Sequence, residues 1–231
     1  MGHSCSSLKK TETKSNPDIT EQTQSGNAPA QLLALPPLLF TSRSHFTIDN
    51  TTITPSSKNF DPHLYLYYSS ILLKTPITQG IISVTITLLS LPIPNYLGDV
   101  RVGLLDSTAP VPKFRYALGS SVKDSVALDS STGLLWCNTP STQHTYLSAS
   151  CHSKLKEGDC VRMEVDMNST PRTVQFFVNG ESGRSFVSGL PPSVRIGFTI
   201  YGKGTFFRID RIAEQQSSTL FAPRMRNVTW E

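Results

Sequence analysis

Two carboxylates, Glu164 and Asp166, stand two residues apart in the stretch VRMEVDMNSTPRTVQFFVNG, Val161 to Gly180. Val161, Met163, Val165 and Met167 alternate with Arg162, Glu164, Asp166 and Asn168. Successive side chains of a strand point to opposite sides, so this pattern predicts one apolar and one polar face. Two acids on one face are a minimum for general acid–base work, in which one group donates a proton while its neighbour accepts one or attacks. The plainer alternative is a solvated sheet face on which Arg162 and Glu164 pair, since antiparallel sheets commonly expose one side. A solvated face is the expectation here.

Other constellations carry less chemistry. Cys137, His144, Cys151, His152 and Cys160 fall in one region. The close Cys-x-x-Cys pairs of zinc sites are missing, so free, partly buried thiols are expected and no metal. The chain has no Gly-x-Ser-x-Gly and no His-Glu-x-x-His. Gly202-Lys203-Gly204 lacks the third glycine and following helix of a phosphate cradle, so no cofactor is expected.

The elements that would hold these residues are short strands. HFTIDNTTIT offers two alternating arms around Asp49-Asn50. Strand signals follow at Leu64–Leu73, Gly80–Leu91, Asp99–Asp106, Lys113–Ser120, Ser125–Asp129 and Gly133–Trp136. Val174, Phe176 and Val178 form the return arm after Val161–Met167, and Asn179-Gly180 suits a tight turn with positive φ. Ser193–Ile212 completes the set. Turn clusters separate these runs and no long 3.6-residue period intervenes, which predicts an all-β sandwich of antiparallel sheets. Residues 1–30 are polar and too poor in apolar side chains to offset ordering entropy, so a disordered segment is expected there. The sandwich is expected over 40–212, with a loosely ordered tail over 213–231.

Composition narrows the function classes. The net charge of +4 is scattered, without the clustered cations and stacking aromatics of a nucleic-acid surface. Ile81–Leu91, the longest apolar run, is too short to cross a bilayer. Three cysteines in the sandwich cannot close a disulfide framework, and the N-terminus lacks the apolar core of a secretory signal. A reduced, cytoplasmic setting is expected.

The order VRVGLLD, KFRYALGS, LKEGDCVRMEVDMNSTPRTVQFFVNG and FVSGLPPSVRIGF resembles a SPRY domain, a concanavalin-like sandwich. That resemblance implies a non-catalytic module that grips a protein segment with loops at one end. It places contacts around Phe114 and Tyr116, and in the Tyr201-Gly202-Lys203 loop. Tyr201 stands between a strand and two glycines, where an aromatic supplies contact area at little entropic cost. Core packing is the alternative for Phe114 and Tyr116, and it is the expectation for Trp136. Concanavalin-like sandwiches also include glucanases with a Glu-x-Asp-x-x-Glu strand. Here Ser169 takes the third position, which can neither protonate a leaving group nor attack as a carboxylate. A carbohydrate-binding or degenerate glucanase-like sandwich is therefore the alternative reading, and no enzyme is expected.

The N-terminus, MGHSCSSLKK, matches the myristoylation pattern, with Gly2 as acceptor and Ser6 at the diagnostic place. Cys5 is positioned for palmitoylation, and Lys9, Lys10 and Lys14 add a basic patch. One acyl chain holds a membrane only marginally whereas two signals anchor stably, so tethering to a cytoplasmic membrane face is expected.

Overall fold

The computed structural model describes residues 31–34, 38–40, 46–49, 52–55, 68–91, 99–112, 116–142, 147–202, 204–219 and 225–230. The segment carrying Gly2 and Cys5 lies outside them, as do Phe114 and Lys203.

The described residues form strands β1 (Gln31–Leu32), β2 (Leu38–Phe40), β3 (Phe46–Asp49), β4 (Thr52–Pro55), β5 (Ser69–Leu73), β6 (Ile81–Ser90), β7 (Asp99–Asp106) and β8 (Ser125–Asp129). They continue with β9 (Leu134–Asn138), β10 (Leu147–Ser150), β11 (Cys160–Asp166), β12 (Thr173–Val178), β13 (Glu181–Ser188), β14 (Val194–Tyr201), β15 (Phe206–Gln215) and β16 (Arg226–Thr229). The only helical turn among the described residues is a 3₁₀ turn at Pro140–Thr142. One sheet runs β16-β13-β12-β11-β6-β15-β4-β3, with β1 added beside β15; the other runs β10-β9-β8-β7-β14-β5-β2.

Dyad patterning places the core between the sheets. Val161, Met163 and Val165 of β11 and Val174 and Phe176 of β12 meet Val100, Val102 and Leu104 of β7 and Phe198 of β14 in one buried cluster. Hydrophobic transfer, about 25 cal/mol per Å² of apolar surface removed from water, holds the layers together. The expected hairpins are present: β3 pairs β4 with Asp49 opposite Thr52, and β11 pairs β12 with Val161 opposite Val178. Asn179 (φ 53°) and Gly180 (φ 85°) make the β12–β13 turn, and the Asn179 side chain accepts from the Cys160 amide at 2.9 Å.

Both outer faces depart from simple alternation. Glu164 is buried, not solvated. Its carboxylate accepts from Arg162 Nη1 (2.7 Å), the Thr219 amide (2.7 Å), Thr219 Oγ1 (2.7 Å) and Ser218 Oγ (3.2 Å). The chain after β15 thus crosses the polar face and is pinned on one carboxylate. Arg162 also stacks on Phe177, 3.6 Å from the ring centroid. Asp166 is spent locally, accepting the Asn168 and Ser169 amides at 2.9 and 3.0 Å to shape the turn. The loosely ordered tail expected after residue 212 is corrected in the same way. β15 runs to Gln215, β16 adds a parallel strand to β13, and Trp230 is buried in the core. These residues order because they bury an indole and satisfy a carboxylate, neither of which is legible from local propensity. Glu164→Ala would leave several donors of the crossing segment without their acceptor, at a cost of about 1–3 kcal/mol. Hydrogen exchange at residues 216–219 is expected to speed up in that variant; unchanged protection would contradict the pinning role.

On the opposite outer face lies the described part, 107–112 and 116–124, of the stretch between β7 and β8. Lys113–Ser120 was expected to form a strand, but its described part, 116–120, is irregular chain and turn. Leu118 and Val122 pack there with Leu72, Leu105 and Ala127 as a second, smaller apolar cluster. Gly103 and Gly197 face each other across β7 and β14 and leave room for this cover.

Candidate functional site

The seven-stranded sheet places Asp99 and Arg101 on the outward side of β7, because Val100 and Val102 point into the core. Asp129, at the end of β8, is opposite Arg101 in register. All three are buried at 6% exposure or less. A buried arginine needs partners for its donors, and each of its three nitrogens has at least one here. Nε donates to Asp99 Oδ2 at 3.3 Å and Nη2 to Asp129 Oδ2 at 2.9 Å. Nη1 donates to the Leu118 carbonyl at 3.0 Å and to Ser120 Oγ at 2.7 Å. Arg101 therefore ties two strands of the sheet to the segment that crosses it.

Aromatic rings surround this cluster. The Arg101 guanidinium lies 5.2 Å from the Tyr68 ring centroid and 5.5 Å from that of Trp136 on β9. Tyr68 stacks against Tyr201 with centroids 4.7 Å apart and an interplanar angle of 33°. The Ser70 hydroxyl donates to the Tyr116 carbonyl at 3.2 Å and shares a 2.9 Å bond with Thr199 Oγ1. Those contacts seat Tyr116 over β5 and β14, beside the end of β14 where Tyr201 lies. Tyr116 is 47% exposed, while Tyr68, Trp136 and Tyr201 are half-buried. The arrangement is a buried charged cluster edged by Tyr68, Tyr201 and Trp136, with the exposed Tyr116 on the segment that crosses the sheet beside it.

Of the sequence-predicted contacts, Tyr201 packs its ring on Tyr68 and Tyr116 is held by its carbonyl on Ser70, both on the outer side of this sheet. Tyr201 is the last residue of β14, opposite Asp99, rather than a member of a free loop; Gly202 follows it with φ 88°. Trp136, expected as packing, stands over Arg101. Tyr68 and the Asp99–Arg101–Asp129 cluster were missed. Each charged residue occupies an ordinary polar position of its strand, and only pairing across β7 and β8 brings them together.

Two acids and one base in a buried cluster leave an excess negative charge. Burial pushes the Asp99 carboxyl up from 3.8 to about 7; Asp129 adds to the rise and Arg101 opposes it. Burial likewise raises the Tyr68 phenol, against the pull of Arg101. A carboxyl raised in the folded state binds a proton that the unfolded chain has already released. Its contribution is fully present below pH 3.8 and is lost as pH climbs toward about 7. Wild type is therefore expected to lose stability relative to Asp99→Asn as pH rises from about 4 to about 7, measured as the difference in Tm. A difference independent of pH would contradict this.

The same physics acts on the buried thiols: burial pushes Cys137 up to about 12 and Cys151 up to about 11, away from the reactive thiolate. His152 turns its Nε2 to the Phe176 carbonyl at 3.3 Å. No group of three or more His, Cys, Asp or Glu converges to hold a metal among the described residues, and His144 lies outside them.

With this geometry in hand, known proteins supply a comparison of folds. No protein-family model matches the chain, and no curated protein matches it in sequence. Among solved structures, the chain is similar to the SPRY domain of human HERC1, at 17% identity and a TM-score of 0.52, over 75% of this chain and 94% of that one. It is also similar to the carbohydrate recognition domain of Emp46p in its metal-free form, at 11% identity and a TM-score of 0.52, over 79% and 88%. The fold is a concanavalin-like β-sandwich. The SPRY resemblance read from the sequence motifs is consistent with it, and likeness at this identity speaks to fold alone.

Proposed function

We propose that this chain is a non-catalytic binding module that takes a segment of a partner protein on the aromatic surface formed by Tyr116, Tyr201, Tyr68 and Trp136. The observation that carries this reading is an exposed Tyr116 on the segment that the buried Arg101 holds through Leu118 and Ser120. Tyrosine offers a large contact area with few rotamers to freeze. Because Arg101 holds the carbonyl of Leu118 and the hydroxyl of Ser120, the segment bearing Tyr116 is ordered before any partner arrives, which lowers the cost of binding. The carboxylates of β11 support the non-catalytic reading. Glu164 is sealed beneath Ser218 and Thr219, and Asp166 is committed to its turn.

Affinity capture from cytoplasmic extract with wild type, Tyr116→Ala and Tyr201→Ala tests the assignment. A shared partner protein is expected to bind each variant about 30-fold more weakly, the effect of losing a hot-spot side chain worth about 2 kcal/mol, while Tm changes little. A glycan array is expected to be blank. Saturable glycan binding lost in the same two variants would replace this reading with the carbohydrate-binding alternative.

Acylation at Gly2 and Cys5 extends the proposal, placing the module at a cytoplasmic membrane face with Lys9, Lys10 and Lys14 beside the anchor. Mass spectrometry of the N-terminal peptide from native cells is expected to find Gly2 myristoylated. An unmodified Gly2 removes the tether and leaves the binding surface as proposed.

A further inference from the structure

A second feature lies at the other end of β14 from Tyr201. Here the two sheets part into an apolar groove of about 250 Å³. Leu73 and Ile196 line it from the seven-stranded sheet, Ile82 and Ile212 from the nine-stranded sheet. Leu33 and Ala34 form one wall, with the Leu33 amide bonded to the Ile212 carbonyl at 2.9 Å. Leu33 is 36% exposed, one of three large hydrophobic side chains left exposed among the described residues. The groove is larger than the apolar cavity of about 150 Å³ that takes up benzene in a well-studied engineered protein. Thr78 and Gln79, both exposed, stand at its mouth as polar groups that can meet an amide or carboxylate.

We propose that this groove is an acyl-chain site, and that its occupant in the intact chain is the myristoyl group on Gly2. The occupant follows from where the groove sits. Its wall, Leu33–Ala34, is the point at which the N-terminal segment joins the sandwich. Gly2 is 29 residues upstream of Gln31, a contour of roughly 100 Å at about 3.5 Å per residue. That contour is several times the radius of gyration of roughly 16 Å expected for a domain this size, so the acyl group reaches the groove with chain to spare. The lining is mainly hydrocarbon, with Thr75, Thr78 and Gln79 as its polar side chains, all exposed, which suits a saturated chain ending in a glycyl amide. A chain held in the groove is withheld from the bilayer, so the site would govern whether the tether is deployed. The occupant half of this inference rests on the acylation proposed above; the groove half does not.

Titration of the unacylated full-length chain with sodium myristate, followed through isoleucine methyl resonances, tests the groove directly. Saturable shifts are expected at Ile77, Ile82, Ile196 and Ile212. Ala34→Trp or Thr78→Trp, at exposed wall and rim positions, is expected to weaken binding at least about tenfold, as losing contact with about two methylenes would. No saturable shift, or equal affinity in both plugged variants, overturns the site without touching the aromatic surface at the opposite end of the strand. The protein co-expressed with an N-myristoyltransferase is then sedimented with phosphatidylcholine–phosphatidylserine vesicles. The plugged variants are expected to pellet in greater fraction than wild type. Equal pelleting, or a chain recovered unacylated at Gly2, overturns the acyl group as occupant.

Discussion

Replacing Arg101 by methionine is expected to cost the fold about 3–5 kcal/mol, the range for removing one partner of a buried charge network. The reason is what remains. Asp99 and Asp129 would face each other out of water with their shared counter-ion gone, and the Leu118 carbonyl and Ser120 hydroxyl would lose their donor. For a chain of this size the loss corresponds to a fall in Tm of about 6–20 °C. The triple variant Arg101→Met, Asp99→Asn, Asp129→Asn is expected to recover a substantial part of it, because removing all the charges together abolishes the desolvation cost that the single change leaves behind. A single variant as stable as wild type would show that the cluster is not holding the sheet to its cover.

The second large effect belongs to a residue with no side chain. A Cβ at Gly103 would lie 1.9 Å from the Val126 carbonyl oxygen and 2.7 Å from the Cα and Cβ of Ala127. Backbone cannot move aside as a flexible side chain does, so Gly103→Ala is expected to destabilise by about 3 kcal/mol, the upper part of the usual overpacking range. Its register partner supplies the control. A Cβ at Gly197 comes too close to the tips of Leu118 and Leu72, each at 2.7 Å, while the nearest backbone atom, the Ile71 oxygen, is at an ordinary 3.6 Å; the tips can rotate, so Gly197→Ala is expected to cost clearly less. Denaturant midpoints of the two variants decide the matter; equal losses would mean that the close approach of β8 to β7 is not what the glycine provides.

The parts of this molecule legible in the sequence are those governed by near neighbours. The dyad of β11 and β12, the Asp49-Asn50 hairpin and the Asn179-Gly180 turn each follow from residues a few positions apart, and the structure carries all of them. What alternation could not disclose is whether a polar face meets water. Glu164 does not, because the chain more than fifty residues later lies across it. Arg101 does not, because residues 117–122 cover it, and Leu118 and Val122 are apolar for that reason rather than as members of a strand. Tyr116 and Tyr201 were identifiable as aromatics in suggestive places, but Tyr68 reaches Tyr201 and Trp136 reaches Arg101 only through pairing between strands distant in sequence. Burial of charge is a property of the assembled layers, and no single segment announces it.

Photo-crosslinking tests the binding surface most directly. Tyr116 is replaced by p-benzoylphenylalanine in the full chain, with Glu181, exposed at the start of β13 in the other sheet, as the control position. Irradiation in cells followed by mass spectrometry is predicted to join position 116 to one segment of a partner protein, with no such product from position 181. Products of the same identity from both positions, or none from 116, would contradict the account.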